Sequence, residues 1–142
     1  MLKIGSGVNV LERLTFDSEP ILAFFLGEVG GDQVMDILER IQKGEAQGYI
    51  NVINSTEVHY ILSRLSSEVA EEKQRFLRIY GLKVVPIKDN GLWREAGKIK
   101  CDHSMSIADA FAVATARSLK TKLIVGNDKE FNNIDVQLLR IR

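Results

Sequence analysis

With 142 residues, 45% of them hydrophobic and 27% charged, the chain has the makeup of one globular domain with a real core, not of a disordered segment. The 19 Lys and Arg balance 19 Asp and Glu, so there is no overall positive field, and any contact with a nucleic acid must come from a local patch or from bound cations. No apolar run reaches the roughly 18 residues that span a membrane, residues 1–10 lack a signal-peptide pattern, and the single Cys101 cannot close an internal disulfide; a cytoplasmic protein is expected.

Residues 1–10 read as an N-terminal extension ahead of one domain over 11–142. Residues 11–16 predict a first strand, with Leu11, Leu14 and Phe16 apolar, followed at once by Asp17 and Ser18. Pro20 suits the first turn of a short helix through Ile21, Leu22, Phe24 and Phe25 that stops near Gly27, and Gly30 and Gly31 break the chain again. Val34, Ile37, Leu38 and Ile41 recur at helical spacing within 32–47. Tyr49, Ile50, Asn51, Val52 and Ile53 read as a second strand, and Asn54 opens a helix carrying Val58, Ile61, Leu62 and Leu65. A charged helix over 68–80 ends at Gly81, and residues 82–87 form a third strand around Val84 and Val85. Helices over 91–101 and 106–120 follow, then a strand at Leu123, Ile124 and Val125, and a fifth over 136–141.

Strands alternating with helices predict an α/β fold of three layers, α/β/α, around a central, mainly parallel sheet of four to five strands with right-handed crossovers. In such folds ligands gather at the carboxyl ends of the strands. Asp17 directly follows the first strand, Asp128 lies just past the strand ending at Val125, and Glu57 occupies the first turn after the second strand, so all three face that edge. Asp109 sits in the first turn of a helix that precedes a strand, and topology does not place it there.

Each acid also has a local structural explanation. Asn54, Ser55, Thr56, Glu57 and Ser106, Ile107, Ala108, Asp109 both match a capping box, in which the acid reaches back to the cap N–H. An acid in the first turn complements the helix dipole, Asp17 and Ser18 suit a cap, and Asn127 and Asp128 suit an Asx turn. Several acids pointing into one crevice, however, repel one another. A divalent cation resolves that conflict, and Mg²⁺ and Mn²⁺ prefer such all-oxygen ligands.

Phe16-Asp17-Ser18 before an apolar helix, Glu57 after a strand, Ser106-Ile107-Ala108-Asp109-Ala110 and Asn127-Asp128-Lys129-Glu130-Phe131 resemble, in order and spacing, the acidic motifs of PIN domains. The resemblance covers about residue 11 to residue 142, and the length is similar to that of the VapC toxins. It implies that Asp17, Glu57, Asp109 and Asp128 hold one or two Mg²⁺ or Mn²⁺ ions, with Ser18, Ser106 and Asn127 in support, and it brings Asp109 into the cluster. It implies a metal-dependent endoribonuclease that activates water against an RNA phosphodiester, acting as the toxin of a toxin–antitoxin pair, with an antitoxin protein as partner and a homodimer as assembly. The alternatives are an RNA-processing PIN nuclease without an antitoxin, and a non-catalytic PIN-like module that binds RNA or protein. A phosphoacceptor receiver domain also gathers acids at strand ends, but Asp17, Ser18 and Glu19 fit its paired acids poorly. Three departures from the pattern bear on substrate positioning more than on metal binding: the ten residues before the first strand, Glu19 and Pro20 in place of small apolar residues, and Gly126 where Thr or Ser is common.

Other residues carry weaker signals. Arg94, Lys98, Lys100 and Lys129 are candidate phosphate contacts, against the simpler reading of a solvated face. Cys101, Asp102 and His103 have no second pair at zinc spacing. His59 belongs to another helix face than Glu57, and Gly5, Ser6 and Gly7 lack the context of a phosphate loop. Trp93 is expected in the core or a subunit interface, and the alanines of residues 108–116 allow close helix packing.

Overall fold

A computed structural model describes the backbone of residues 2–4 and 8–142 and the side chains of residues 11–142. Gly5, Ser6 and Gly7 lie outside the described residues. Leu2–Ile4 (β1) and Val8–Val10 (β2) pair antiparallel in a two-stranded sheet of their own, Leu2 opposite Val10. The domain then runs Glu12–Phe16 (β3), Ser18–Phe25 (α1), Gly31–Gln42 (α2), Ala46–Asn51 (β4), Val52–Ser63 (α3), Ser67–Tyr80 (α4), Lys83–Val85 (β5), Asn90–Asp102 (α5), Ile107–Leu119 (α6), Lys122–Val125 (β6) and Leu138–Arg140 (β7). A short 3₁₀ turn, Lys129–Phe131, follows β6. The main sheet has the order β5-β4-β3-β6-β7, and every neighbouring pair is parallel. The α/β architecture with a parallel five-stranded sheet is therefore as expected.

Alternation along the strands divides the core in two. Leu14, Phe16 and Ile124 face a cluster built with Ile21, Val34, Leu38, Val58 and Leu62, whereas Leu123 and Val125 face a second one with Ala96, Ile99, Val113 and Phe131. The helical stripe of Val34, Ile37, Leu38 and Ile41 is buried throughout, and so are the small residues Ala110, Ala112, Ala114 and Ala116 of α6, which packs closely on α5. At the amino ends of the strands Glu12 accepts from Arg40 at 2.9 Å and Lys122 at 3.2 Å, joining β3, α2 and β6. Burial alone would raise the Glu12 carboxyl, but the two cations outweigh it and hold it below its ordinary value. No helix among the described residues is long and apolar enough to cross a membrane.

Two local readings change, and a third, for Trp93, loses one of its two alternatives. The helix expected over 32–47 ends at Gln42, because Gly44 takes a left-handed conformation and Ala46, Gly48 and Ile50 turn inward as a strand. Helix α3 begins at Val52, not Asn54: the Asn51 side chain accepts from the Ile53 N–H at 2.8 Å and overrides the strand preference of Val52 and Ile53. Trp93 is not in the core but 44% exposed, its indole N–H donating to Asn90 at 3.2 Å and its ring under Arg94.

Candidate active site

The carboxyl edge of the sheet is where β3, β4 and β6 release the chain into α1, α3 and the turn after β6. Asp17 follows β3 and its N–H donates to the Ile124 carbonyl at 3.0 Å, so the residue is fixed as a continuation of the sheet. It stands at the N-cap position of α1 yet its side chain makes no capping hydrogen bond. Instead the carboxylate is 2% exposed, and no ion pair among the described residues neutralises it. Burial pushes its pKa well above the ordinary value of 3.8, and the negative charges of Asp109, Glu57 and Glu19 push the same way against a hydrogen bond from Ser18.

A buried amide organises the surroundings of Asp17. Asn54, fully buried on α3, donates through Nδ2 to the Ser18 Oγ and the Ala108 carbonyl, both at 3.0 Å, and at 3.5 Å to Asp17 Oδ1. Three helix starts are thereby joined: Ser18 of α1, Asn54 of α3 and Ala108 of α6. Its Oδ1 is buried with no partner. One turn earlier, Asn51 caps α3 while its Nδ2 donates to the Thr115 hydroxyl of α6 at 2.9 Å. The two amides fix α3 against α6, and with them Glu57 and Asp109.

Of the acids expected together, the structure gathers Asp109 and Asp128 with Glu130, ligating oxygens from all three lying within 4.8 Å of one another. Asp109 is thus at the carboxyl edge, which the order of elements alone had left open. It does form the expected capping box, Ser106 Oγ accepting from the Asp109 N–H at 3.1 Å and Asp109 Oδ2 from the Ser106 N–H at 3.4 Å. Burial raises its pKa, the Ser106 bonds lower it, and Asp128 and Glu130 raise it again. Asp128 Oδ1 accepts from the Glu130 N–H at 3.0 Å, the expected Asx turn. Glu57, by contrast, is in no capping box: with the cap at Asn51 it lies in the second turn of α3, half-buried, and acts on Asp17 through its charge. Asn127 is exposed.

The family model of the PIN domain matches residues 14–137. The chain belongs to the PIN-domain family. This PIN domain is similar in fold to a toxin–antitoxin complex from Klebsiella pneumoniae, with a TM-score of 0.70 at 19% identity over 89% of this chain and 95% of that one. It is also similar to VapBC2 from Rickettsia felis bound to a promoter DNA fragment, at 0.71 and 14% over 92% and 99% of the two chains. Similarity extends to VapC20 of Mycobacterium tuberculosis, a toxin that cleaves the sarcin–ricin loop, at 0.63 and 13% over 84% and 92%. At these identities the likeness is one of fold. Comparison with curated proteins by sequence finds no match.

Three residues of the PIN-domain edge escaped the sequence reading. Asn54 appeared to be a helix cap, and only its burial and partners reveal a clamp. Glu130 sat inside a quoted motif, and its spacing two residues after Asp128 was the available signal. Arg140 lies on the last strand, far away in sequence; its guanidinium donates to the carbonyls of Gly126 at 2.7 Å and Asp128 at 3.1 Å and to Asn132, holding the turn that presents Asp128. The donor set is all-oxygen and fits a hard divalent cation. A cavity lined by Ile50, Ser55, Gln74, Leu77, Leu82 and Val84 lies away from these acids, among β4, α3, α4 and β5.

Proposed function

We propose that this PIN domain is a metal-dependent endoribonuclease, with Asp17, Glu57, Asp109 and Asp128 holding one or two Mg²⁺ or Mn²⁺ ions, and that it serves as the toxin of a toxin–antitoxin pair. The observation that carries the reading is Asp17, a carboxylate 2% exposed and without a cation partner, placed beside further acids. Taking a charge out of water costs several kcal/mol unless it is paired. The hydrogen bond from Ser18 and the long one from Asn54 compensate only in part, since burial and the neighbouring acids still raise the Asp17 pKa; a divalent cation shared with Asp109 would supply the missing positive charge. The orphaned Asn54 Oδ1 beside it is a second sign of a polar pocket built for more than side chains.

A divalent cation held by Asp17, Glu57, Asp109 and Asp128 would supply an activated water and would neutralise charge developing on the phosphate. The residues supply the rest. Asp17 and Asp109 are ligands whose spacing Asn54 sets, Asp128 is presented by the turn that Arg140 holds, and a carboxylate not engaged as ligand accepts the proton that leaves the water. The acids of the edge repel an RNA backbone until a cation is present, so metal loading and substrate binding are linked. The toxin assignment draws on the likeness to toxin–antitoxin complexes; a homodimer and an antitoxin partner belong to the same reading.

The test is incubation of a mixed tRNA and rRNA pool with Mn²⁺ or Mg²⁺, beside EDTA and an Asp109→Asn protein. Cleavage that requires metal and disappears in the variant is expected. Cleavage that survives both removes the reading. RNA left intact by the wild type, together with no Mn²⁺-dependent rise in melting temperature, favours a binding module.

A further inference from the structure

Helix α5 carries an outer face that serves neither its own stability nor the core. At 3.6 residues per turn, Trp93, Arg94, Gly97, Lys98 and Lys100 share that face, and all five are exposed, while Ala96 and Ile99 turn inward. Gly97 stands mid-helix, where only proline is a worse choice. A Cβ built there meets nothing within 4 Å and its φ is not left-handed, so neither packing nor backbone calls for glycine. Arg94 and Lys98 stand four residues apart, a spacing at which like charges repel. Neither they nor Lys100 enter an ion pair among the described residues. Of the helix's acids, Glu95 is taken up by Arg117 of α6 at 3.4 Å, and Asp102 comes only at the last position. The charged helix α4 differs: it mixes Glu68, Glu71 and Glu72 with Lys73, Arg75 and Arg78 and holds no glycine, as suits a face that meets only water.

Trp93 explains the glycine. Its indole N–H donates to Asn90 at 3.2 Å and the Arg94 guanidinium lies 5.2 Å from the ring centroid, so the ring is held in one orientation although 44% of the residue is exposed. A helical side chain leans toward the preceding turn, and position 97 is one turn after Trp93. Any longer side chain at 97 would lean over the indole, and glycine leaves it bare. Cations around a bare, oriented aromatic ring fit a single-stranded nucleic acid, whose phosphates meet the charges while a base stacks on the ring. A duplex keeps its bases stacked inside. A second copy meeting this face about a two-fold axis would bring the three cations of each chain together. The face also leads to the acids: α5 ends at Asp102, α6 begins at Ile107 with Asp109 in its first turn, and Trp93 lies about 14 Å back along the α5 axis at 1.5 Å per residue.

We infer that the outer face of α5 is a binding surface for single-stranded RNA, with Trp93 stacking a base, Arg94, Lys98 and Lys100 meeting phosphates, and Gly97 leaving the ring uncovered. The inference rests on the RNA-cleaving reading above and names where the substrate is held outside the acidic edge. It supplies the local positive patch that a chain of zero net charge lacks as a whole. The costs to the helix, an interior glycine and a like-charge pair, are then spent at a functional face, where such departures from local preference are expected.

Trp93 is the single tryptophan of the chain, so its fluorescence reports on this face directly. The full chain in EDTA is titrated with oligoriboadenylate and, in parallel, with an RNA duplex of the same length. Quenching by the single strand and not by the duplex is expected. With labelled oligoriboadenylate followed by anisotropy, Trp93→Ala is expected to weaken binding about tenfold. Arg94→Gln and Lys98→Gln are each expected to weaken it and to lower the slope of log affinity against log salt by about one. Gly97→Leu is expected to weaken binding about as much as Trp93→Ala while raising the melting temperature, since leucine is the better helix former and a Cβ there meets no neighbour. A more stable protein that binds RNA less well is not what a merely solvated face predicts. Unchanged fluorescence, with wild-type affinity in Trp93→Ala and Gly97→Leu, overturns the inference even where metal-dependent cleavage is found. Self-association that Gly97→Leu abolishes, without any effect on RNA, overturns it in favour of a second copy. Quenching and the variant effects in a protein that cuts no RNA with Mn²⁺ overturn the nuclease reading and leave the surface standing.

Discussion

Replacing Asn54 with alanine tests whether the buried amide sets both the stability and the metal affinity of the edge. The side chain makes two well-formed hydrogen bonds at 3.0 Å and a longer one to Asp17. Each good bond contributes about 1 kcal/mol net, and the small void left behind adds roughly another. Against this, the variant no longer buries the unpartnered Oδ1, whose desolvation costs on the order of 1 kcal/mol. The expected net loss is about 2 kcal/mol, a fall in melting temperature of about 4–8 °C for a chain of this size. A second effect separates this clamp from ordinary core packing. In wild type, Mn²⁺ at about a hundred times its dissociation constant stabilises by about 2.7 kcal/mol. If Asn54 spaces Asp17 and Asp109, the variant binds Mn²⁺ about tenfold more weakly, and that gain shrinks by about 1.4 kcal/mol at the same concentration. Calorimetric scans in EDTA and in Mn²⁺ measure both numbers. A metal-free melting temperature within about 1 °C of wild type, with the Mn²⁺ gain intact, would refute the reasoning.

Three further expectations concern Arg140, Glu12 and the two raised carboxylates. Arg140→Ala frees the carbonyls of Gly126 and Asp128, so it should lower Mn²⁺ affinity by about tenfold while costing only about 1–2 kcal/mol in EDTA. Glu12 has its pKa held below the ordinary 4.5 in the fold, so it contributes stability above the unfolded value that is lost as pH falls through the folded one. Glu12→Gln should therefore cost about 1 kcal/mol at neutral pH, since the pair is partly solvated, and almost nothing near pH 3, as urea titrations at the two pH values would show. Asp17 and Asp109 have the opposite sign: their folded pKa values are raised, so their contribution is full below 3.8 and is lost as pH rises through the folded values. The metal-free protein should accordingly lose stability in EDTA as pH rises from about 4 toward neutral, and Asp17→Asn should flatten that decline.

The fold was legible because its signals are repeated: the apolar stripe of α2, the strand runs ending at Phe16 and Val125, and Gly81 closing α4 in a left-handed cap all act locally and agree. Where the reading slipped, one side chain outvoted a propensity. Val52 and Ile53 favour a strand, yet Asn51 caps Ile53 and turns them into the first turn of α3. That shift removed Glu57 from the capping box its spacing suggested, whereas the identical argument held for Ser106 and Asp109. Pattern alone does not separate the two cases, since both are a hydroxyl or amide residue three positions before an acid. What separates them is which residue ends the preceding segment, and in α3 that is Asn51, whose side chain caps Ile53 and also donates to Thr115, more than sixty positions along the chain.

The site itself shows the limit more sharply. The acids after β3 and β6 were legible because strand ends define an edge, but the roles of Asn54 and Arg140 exist only through contacts between distant segments. Asp109 unites the two levels. One of its oxygens completes a helix cap, yet its carboxylate also lies among those of Asp128 and Glu130. The local reading and the functional one are thus not rivals at this residue: the cap fixes the side chain in the rotamer that faces the other acids. At Asp17 they are rivals, and the structure separates them, because the carboxylate occupies a cap position without capping and remains buried. An acid that makes no capping hydrogen bond at the start of its own helix, and stays out of water beside other acids, is held there by the surrounding fold at a cost in stability. Such a cost is sustained where an occupant with opposite charge recovers it, and that makes Asp17 the residue on which the metal-dependent reading stands or falls.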